Sequence, residues 1–321
     1  MNPLWERSVW NINEWKFFTM AKYIDVAAVS GMVLERQEEG PREALNQFLE
    51  AAERLEGTGV DLVVTCETMM MNQAAGTGED PAHPGEILEA FRTFARENHC
   101  TVVGASRTLC PEPRQSLVYY GPDGEQLGIY HKMFPTPEAI KAGTVPGEGA
   151  VVVDTPAGKL GGILCYDLNF DELRDQYIAL KPQILCFSSY YHGGTAMVNW
   201  AFRTGAFMVG AIKDIGSEIY DPLGRRLNAT TYYHRIARAR INIDYFFCHG
   251  GSGNAEKYPE IMRKYGKKVL IDHDSPSACG IIYSCTDEFT AQDLAKEFEL
   301  VPLCETLQYS REVRAKALKI N

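Results

Sequence analysis

The stretch AVVVDTPAGKLGGILCYDLNFDELRDQYIAL, residues 150–180, decides the fold. Two apolar runs flank Pro156-Ala157-Gly158-Lys159, a turn signal, and read as strand, turn, strand. The second run ends at Cys165, and DELRDQYIAL (171–180) then reads as a helix. Downstream come a buried strand, QILCFSS (183–189), a helix over 195–205, a strand, FMVGAI (207–212), and a strand–turn–strand unit, SEIYDPLGRRLNAT (217–230). Upstream, QSLVYYGPDGEQLGIYHK (115–132) is a hairpin around GPDG. Before it, YIDVAAVS (23–30), VDLVVTC (60–66) and TVVGAS (101–106) read as strands. Between these, 41–56 and 85–97 place apolar residues at helical spacing, among them Leu45, Phe48, Ala52, Phe91 and Phe94. Strands alternate with helices in places and pair as hairpins in others. This is an α/β pattern of two mixed sheets packed face to face, with helices outside.

The 321 residues carry a net charge of −10. That balance argues against a nucleic-acid partner, which needs a Lys/Arg excess, and gives no attraction to an anionic membrane. No apolar run approaches the ~18 residues of a spanning helix. The nine cysteines are odd in number, mostly within apolar runs, and form no CxxC pair. Free buried thiols in a reducing cytoplasm are the expectation.

Three segments carry chemistry. Cys165 lies at a strand-to-helix turn, where a nucleophile is exposed and nearby backbone N–H groups can receive an oxyanion. Helix polarity there is expected to favour a thiolate. Glu67 closes the apolar run VVTC, and desolvation there suits a carboxylate to general-base work. Lys132 follows a short strand in GIYHKMFPTPE (128–138), where an ammonium could stabilise a developing oxyanion. Singly, each has a plainer explanation: a buried small hydrophobe, a strand-end salt bridge, a solvated lysine. His131 reads as structural.

Together, in this order, the three resemble the nitrilase superfamily of carbon–nitrogen hydrolases, which use a Glu–Lys–Cys triad. The resemblance rests on Glu67 at a strand end, on Gly128-Ile129-Tyr130-His131-Lys132, and on Cys165-Tyr166-Asp167 with Phe170 and Glu172; it covers about residues 22–245. It implies a four-layer α-β-β-α sandwich with a C-terminal extension, assembled as a homodimer or higher homo-oligomer. It also implies hydrolysis of a small amide through a thioester, with Glu67, Lys132 and Cys165 catalytic. In that scheme Tyr166 supplies an oxyanion N–H, Glu138 supports Lys132 or the substrate, and no metal or organic cofactor is needed. CYDLNF looks closer to the amidase branches than to true nitrilases. N-carbamoyl hydrolysis, acyl transfer to an amine, and a non-catalytic binding or scaffold role are the alternatives. The sequence departs from the family pattern at Cys66, where a proline is usual, at Asn169, where an arginine is common, and after Arg203, where a glutamate is missing. These positions bear on the pocket wall, and so on the substrate.

The domain expectation is a hydrolase unit over 20–249, flanked by an extension over 1–19 and a tail over 250–321. Trp5, Trp10 and Trp15 either dock on the body or a second subunit, or precede a true start at Met20. GGSGN (250–254) reads as a flexible joint. The tail reads as charged with short helical patterns, and it covers the pocket, extends an interface or completes the core.

Overall fold

The computed structural model describes residues 22–31, 40–67 and 77–319. The three N-terminal tryptophans and Met20 lie outside the described residues. The strands run β1 (Tyr23–Val29), β2 (Leu62–Thr65), β3 (Thr101–Leu109), β4 (Pro113–Tyr120), β5 (Gln126–His131), β6 (Val152–Thr155), β7 (Gly158–Leu164) and β8 (Ile184–Ser189). They continue with β9 (Phe207–Ile212), β10 (Glu218–Tyr220), β11 (Arg226–Ala229), β12 (Ile236–Asn242), β13 (Tyr245–His249), β14 (Val269–Asp274) and β15 (Cys279–Ser284). The helices are α1 (Gly40–Glu53), α2 (Glu86–Asn98), α3 (Pro137–Lys141), α4 (Asp171–Leu180), α5 (Thr195–Thr204), α6 (Asn254–Tyr265), α7 (Ala291–Glu297) and α8 (Leu303–Leu318).

Two six-stranded mixed sheets form the body, in the orders β12-β1-β2-β3-β4-β5 and β11-β10-β9-β8-β7-β6. Strand alternation sets the layers. On β1, Val26 and Ala28 face the second sheet, while Ala27 and Val29 face outward onto Phe48 of α1 and Phe91 of α2. Leu62, Val103 and Leu117 of the first sheet share one core with Ile163, Leu185 and Val209 of the second. The adjacent glycines of β7 show how close the layers lie. A Cβ on Gly161 would come within 2.7 Å of Tyr177 on α4, and one on Gly162 within 2.6 Å of the Tyr119 hydroxyl across the central layer. The expected α-β-β-α sandwich is therefore present.

The tail differs from the sequence expectation. Its apolar runs Val269-Leu270-Ile271 and Gly280-Ile281-Ile282-Tyr283 are strands, forming a third sheet in the order β13-β15-β14. Phe246, Cys248, Ile261, Ile282 and Leu294 make its core under α6 and α7. Tyr245 Oη donates to the carbonyls of Gln183 and Gly205, so the tail unit sits where β8 and β9 begin. Arg225, beside Asp221 in the β10–β11 turn, also pairs with Asp272 on β14. Nor is 250–254 a loose joint. Asn254 is fully buried; its Nδ2 donates to the carbonyls of His249 and Val301, each at 2.8 Å, and its Oδ1 accepts from Val301 N at 2.9 Å. A buried amide with all these partners fixes the corner that its glycines alone would leave free.

Candidate active site

β5 runs parallel to β2 and β3, because two antiparallel pairings separate it from β3. Glu67, Lys132 and Cys165 thus follow the C-terminal ends of β2, β5 and β7, and the face-to-face packing of the sheets brings them together. Lys132 Nζ donates to Glu67 Oε1 at 3.1 Å. The other carboxylate oxygen, Oε2, accepts from Tyr190 N at 2.8 Å. The Cys165 thiol interacts with the Glu67 carboxylate and with the Tyr190 N–H, and it feels the Lys132 charge.

Cys165 has φ +49°, a left-handed conformation rare outside glycine. The chain turns there from β7 into a 3-10 turn, Cys165–Asn169, and the thiol on this sharp elbow meets Glu67. The expectation of a stabilised thiolate is not met. Burial first, then the Glu67 charge, push the thiol up to about 11 against the pull of Lys132. Cys165 therefore rests as a thiol, with Glu67 beside it. Burial pushes the Lys132 ammonium down, but Glu67, Cys165 and Asp167 outweigh it and raise it above its ordinary value. Lys132 stays charged.

Tyr166 follows the thiol directly; its ring is partly exposed and meets Phe170 edge-on. Glu138 is exposed and makes no hydrogen bond or ion pair with the trio. Thr136 caps α3, with its side chain accepting from Ala139 N, and this turns Glu138 outward in the first turn. It makes no side-chain hydrogen bond or ion pair among the described residues. His131 is structural, as expected. Its Nδ1 bonds Ser116 Oγ at 2.8 Å, and burial together with Arg114 lowers it. Cys66, at the usual proline position, donates from Sγ to the Ser189 carbonyl at 3.2 Å, linking the exits of β2 and β8. No proline could do this. Asn169, where an arginine is common, bonds the Tyr166 carbonyl and the Tyr191 hydroxyl.

Two features escaped the sequence reading. One is Asp167, buried beneath the elbow and bonded to both strands that deliver Lys132 and Cys165. The other is the Ser188-Ser189-Tyr190-Tyr191 run closing β8. Its signal was the same as that of Glu67, polar residues at the end of a buried strand. Register places Leu164, Ser188 and Ala211 side by side on β7, β8 and β9. Lys213 accordingly emerges two strands from Cys165, where its Nζ donates to Tyr190 Oη at 2.7 Å and lies 3.9 Å from that ring's centroid. No group of described residues forms a metal-binding cluster, and no helix among them is long and apolar enough to cross a membrane.

The family model for carbon-nitrogen hydrolases matches residues 25–245. The chain belongs to the carbon–nitrogen hydrolase family. This carbon–nitrogen hydrolase is 27% identical to Omega-amidase NIT2-A of Xenopus laevis over 270 residues, covering 78% of this chain and 87% of that protein. It is 27% identical to Nitrilase 1 of Arabidopsis thaliana over 133 residues, 40% of this chain and 38% of the relative. Among solved structures, Nit3 of Saccharomyces cerevisiae, a nitrilase-superfamily member, shares the fold with TM-score 0.58 at 18% identity, over 70% of this chain and 91% of that one. A double mutant of the amidase from Nesterenkonia sp. AN1, in complex with acrylamide, matches with TM-score 0.57 at 19% identity, over 76% and 97%.

Proposed function

We propose that this hydrolase cleaves the carbon–nitrogen bond of a small non-peptide amide through a thioester on Cys165, with Glu67 and Lys132 as its catalytic partners. One observation carries the reading: the Cys165 thiol meets a buried Glu67–Lys132 pair, with Lys132 Nζ 3.1 Å from Glu67. Glu67 takes the thiol proton as sulfur attacks the amide carbon. Lys132 and the Tyr166 N–H stabilise the oxyanion. Protonated Glu67 then gives its proton to the departing ammonia or amine, leaving the acyl group on sulfur. Water, deprotonated by Glu67, adds to the thioester; collapse releases the acid and returns the proton to the thiol. No step requires a metal or organic cofactor.

The omega-amidase names of the relatives favour a terminal amide as substrate. Nine free cysteines suit a reducing cytoplasm, and a homo-oligomer remains part of the reading. The test is ammonia release from a panel of amides, N-carbamoyl compounds and nitriles, with wild type and Cys165→Ala side by side. The panel pairs amides with and without a distal carboxylate, because Lys213 puts a cation on Tyr190, whose backbone N–H bonds Glu67. The reading expects turnover of amides, loss of at least about a thousandfold in Cys165→Ala, and an acyl adduct on Cys165 by mass spectrometry. Wild-type rates in Cys165→Ala would overturn it.

A further inference from the structure

Asp167 touches neither the thiol nor any proposed reacting atom, yet it joins both chain segments that deliver the nucleophile and the cation. Its Oδ2 accepts from Tyr130 Oη at 2.7 Å and from Leu164 N at 3.0 Å, and its Oδ1 accepts from Phe134 N at 2.8 Å. Tyr130 and Phe134 bracket Lys132 on the exit of β5, and Leu164 immediately precedes Cys165. The Tyr130 hydroxyl also accepts from Met133 N at 3.3 Å, which closes the turn around Lys132. All three groups facing the carboxylate are donors, so an acceptor-only side chain is required. A protonated carboxyl would turn one O–H toward a donor and lose a bond at a fully buried position.

We infer that Asp167 is a positioning residue for the reaction proposed above, holding the Cys165 elbow in register with Lys132, and that it does so only as a carboxylate. Without it no hydrogen-bonded link among the described residues joins Leu164 to Phe134, and the strained φ of Cys165 loses its brace. The clasp should therefore open in mild acid. Burial raises Asp167 to about 6, while the Tyr130 hydrogen bond, the Lys132 charge and the two backbone N–H groups pull it down. The other titratable groups around it are Tyr177 on α4, Tyr191 after β8, Cys165 on its own turn, and Glu67 beyond Lys132. Glu67 is a second carboxyl group in the same site, so the assignment has to be read from variants that leave Glu67 in place.

Two variants do this, read by kcat, KM and their pH profiles on the best amide of the panel. Asp167→Asn keeps the shape but turns an NH2 toward donors. It should lower kcat by about 10- to 100-fold, with KM within about threefold, as expected for misplaced groups. It should also remove the acid limb near pH 6. Tyr130→Phe deletes the bond that holds Asp167 down, so the acid limb should move to higher pH with a smaller loss of kcat. A merely structural residue would change stability without moving that limb. An unshifted limb in Tyr130→Phe, or an Asp167→Asn enzyme that keeps wild-type kcat and its acid limb, overturns the inference. Tyr130→Phe keeps the inference open to refutation if Asp167→Asn does not fold. The rate of Cys165 alkylation by iodoacetamide needs no substrate and separates this inference from the amidase reading. If wild type hydrolyses no amide, a change in labelling across pH 5–7 that disappears in Asp167→Asn still supports the clasp. Identical labelling profiles overturn it.

Discussion

Lys132 Nζ stands 3.1 Å from Glu67 Oε1, and the two side chains are only 2% and 3% exposed. Each charge is therefore compensated mainly by the other. Tyr190 N adds a further hydrogen bond to the carboxylate, at 2.8 Å. An ion pair so dry is held for a purpose other than stability, because hydrophobic replacements of such pairs are often neutral or better.

Breaking the pair from one side should be costly. Lys132→Met leaves Glu67 buried without its cation, and about 3–5 kcal/mol of stability should be lost in urea unfolding near pH 7. Adding Glu67→Gln should recover part of that loss. Strict additivity of the two substitutions would mean that they do not interact.

Glu67→Gln should separate thiolate formation from turnover. In wild type, burial and Glu67 hold the thiol near 11, so Cys165 alkylation should keep rising with pH beyond the range in which an ordinary thiol, near 9, has levelled off. Removing the Glu67 charge deletes a cause that raises the thiol and leaves Lys132, which lowers it. The midpoint of labelling should move down, while amide turnover falls by at least about a thousandfold because the proposed base is gone. A midpoint that stays or rises contradicts this electrostatic account.

Gly162→Ala should destabilise the sandwich. Its Cβ would meet the Tyr119 hydroxyl at 2.6 Å and carbons of Leu117 and Tyr130 at 3.0 Å, all on the facing sheet. Overpacking of this kind costs about 1–3 kcal/mol. Tyr130 lies among the displaced groups, so turnover should fall as well. Thermal unfolding and amide kinetics on the same preparation check both effects.

Asn254→Ala should loosen the tail unit. It removes both donors and the acceptor that join His249 to Val301 across a dry corner, leaving two carbonyls and one N–H without these partners. A loss of about 3 kcal/mol is expected. Hydrogen exchange should rise first in β13, β14 and β15, with the β7–β9 amides less affected. Uniform exchange across the chain would show that the corner is not a local brace.

The sandwich was legible in the sequence because its two sheets bury contrasting patterns. Continuous runs such as Val63-Val64 mark strands covered on both faces, and periodic helices such as 85–97 mark the outer layers. The trio was legible because polar residues that close apolar strands stand out against them. Asp167 lay within the quoted motif, yet its role was hidden. Spacing does not reveal that Tyr130 and Phe134, on a distant hairpin, supply its donors. The tail was misread for a related reason. Val269-Leu270-Ile271 is too short to declare itself a strand, and its partner β15 is identified by pairing alone. Glu138 followed the family pattern, but Thr136 and Pro137 start a helix there and turn it to solvent.

The pairing of β1 with β12 has a consequence for how the protein is made. Asp25 and Arg240, joined across that pair at 3.0 Å, are 215 residues apart. At roughly 5–20 residues per second, on the order of ten seconds or more of translation separate the two strands. Until β12 leaves the ribosome, the outer edge of β1 carries unpaired backbone groups beside an apolar face, an open template for association with other nascent chains. The first sheet can close only late, and its contacts are among the least local in the molecule, which makes for slow folding. Truncated translation products ending before residue 236 should accordingly be the species that chaperones retain.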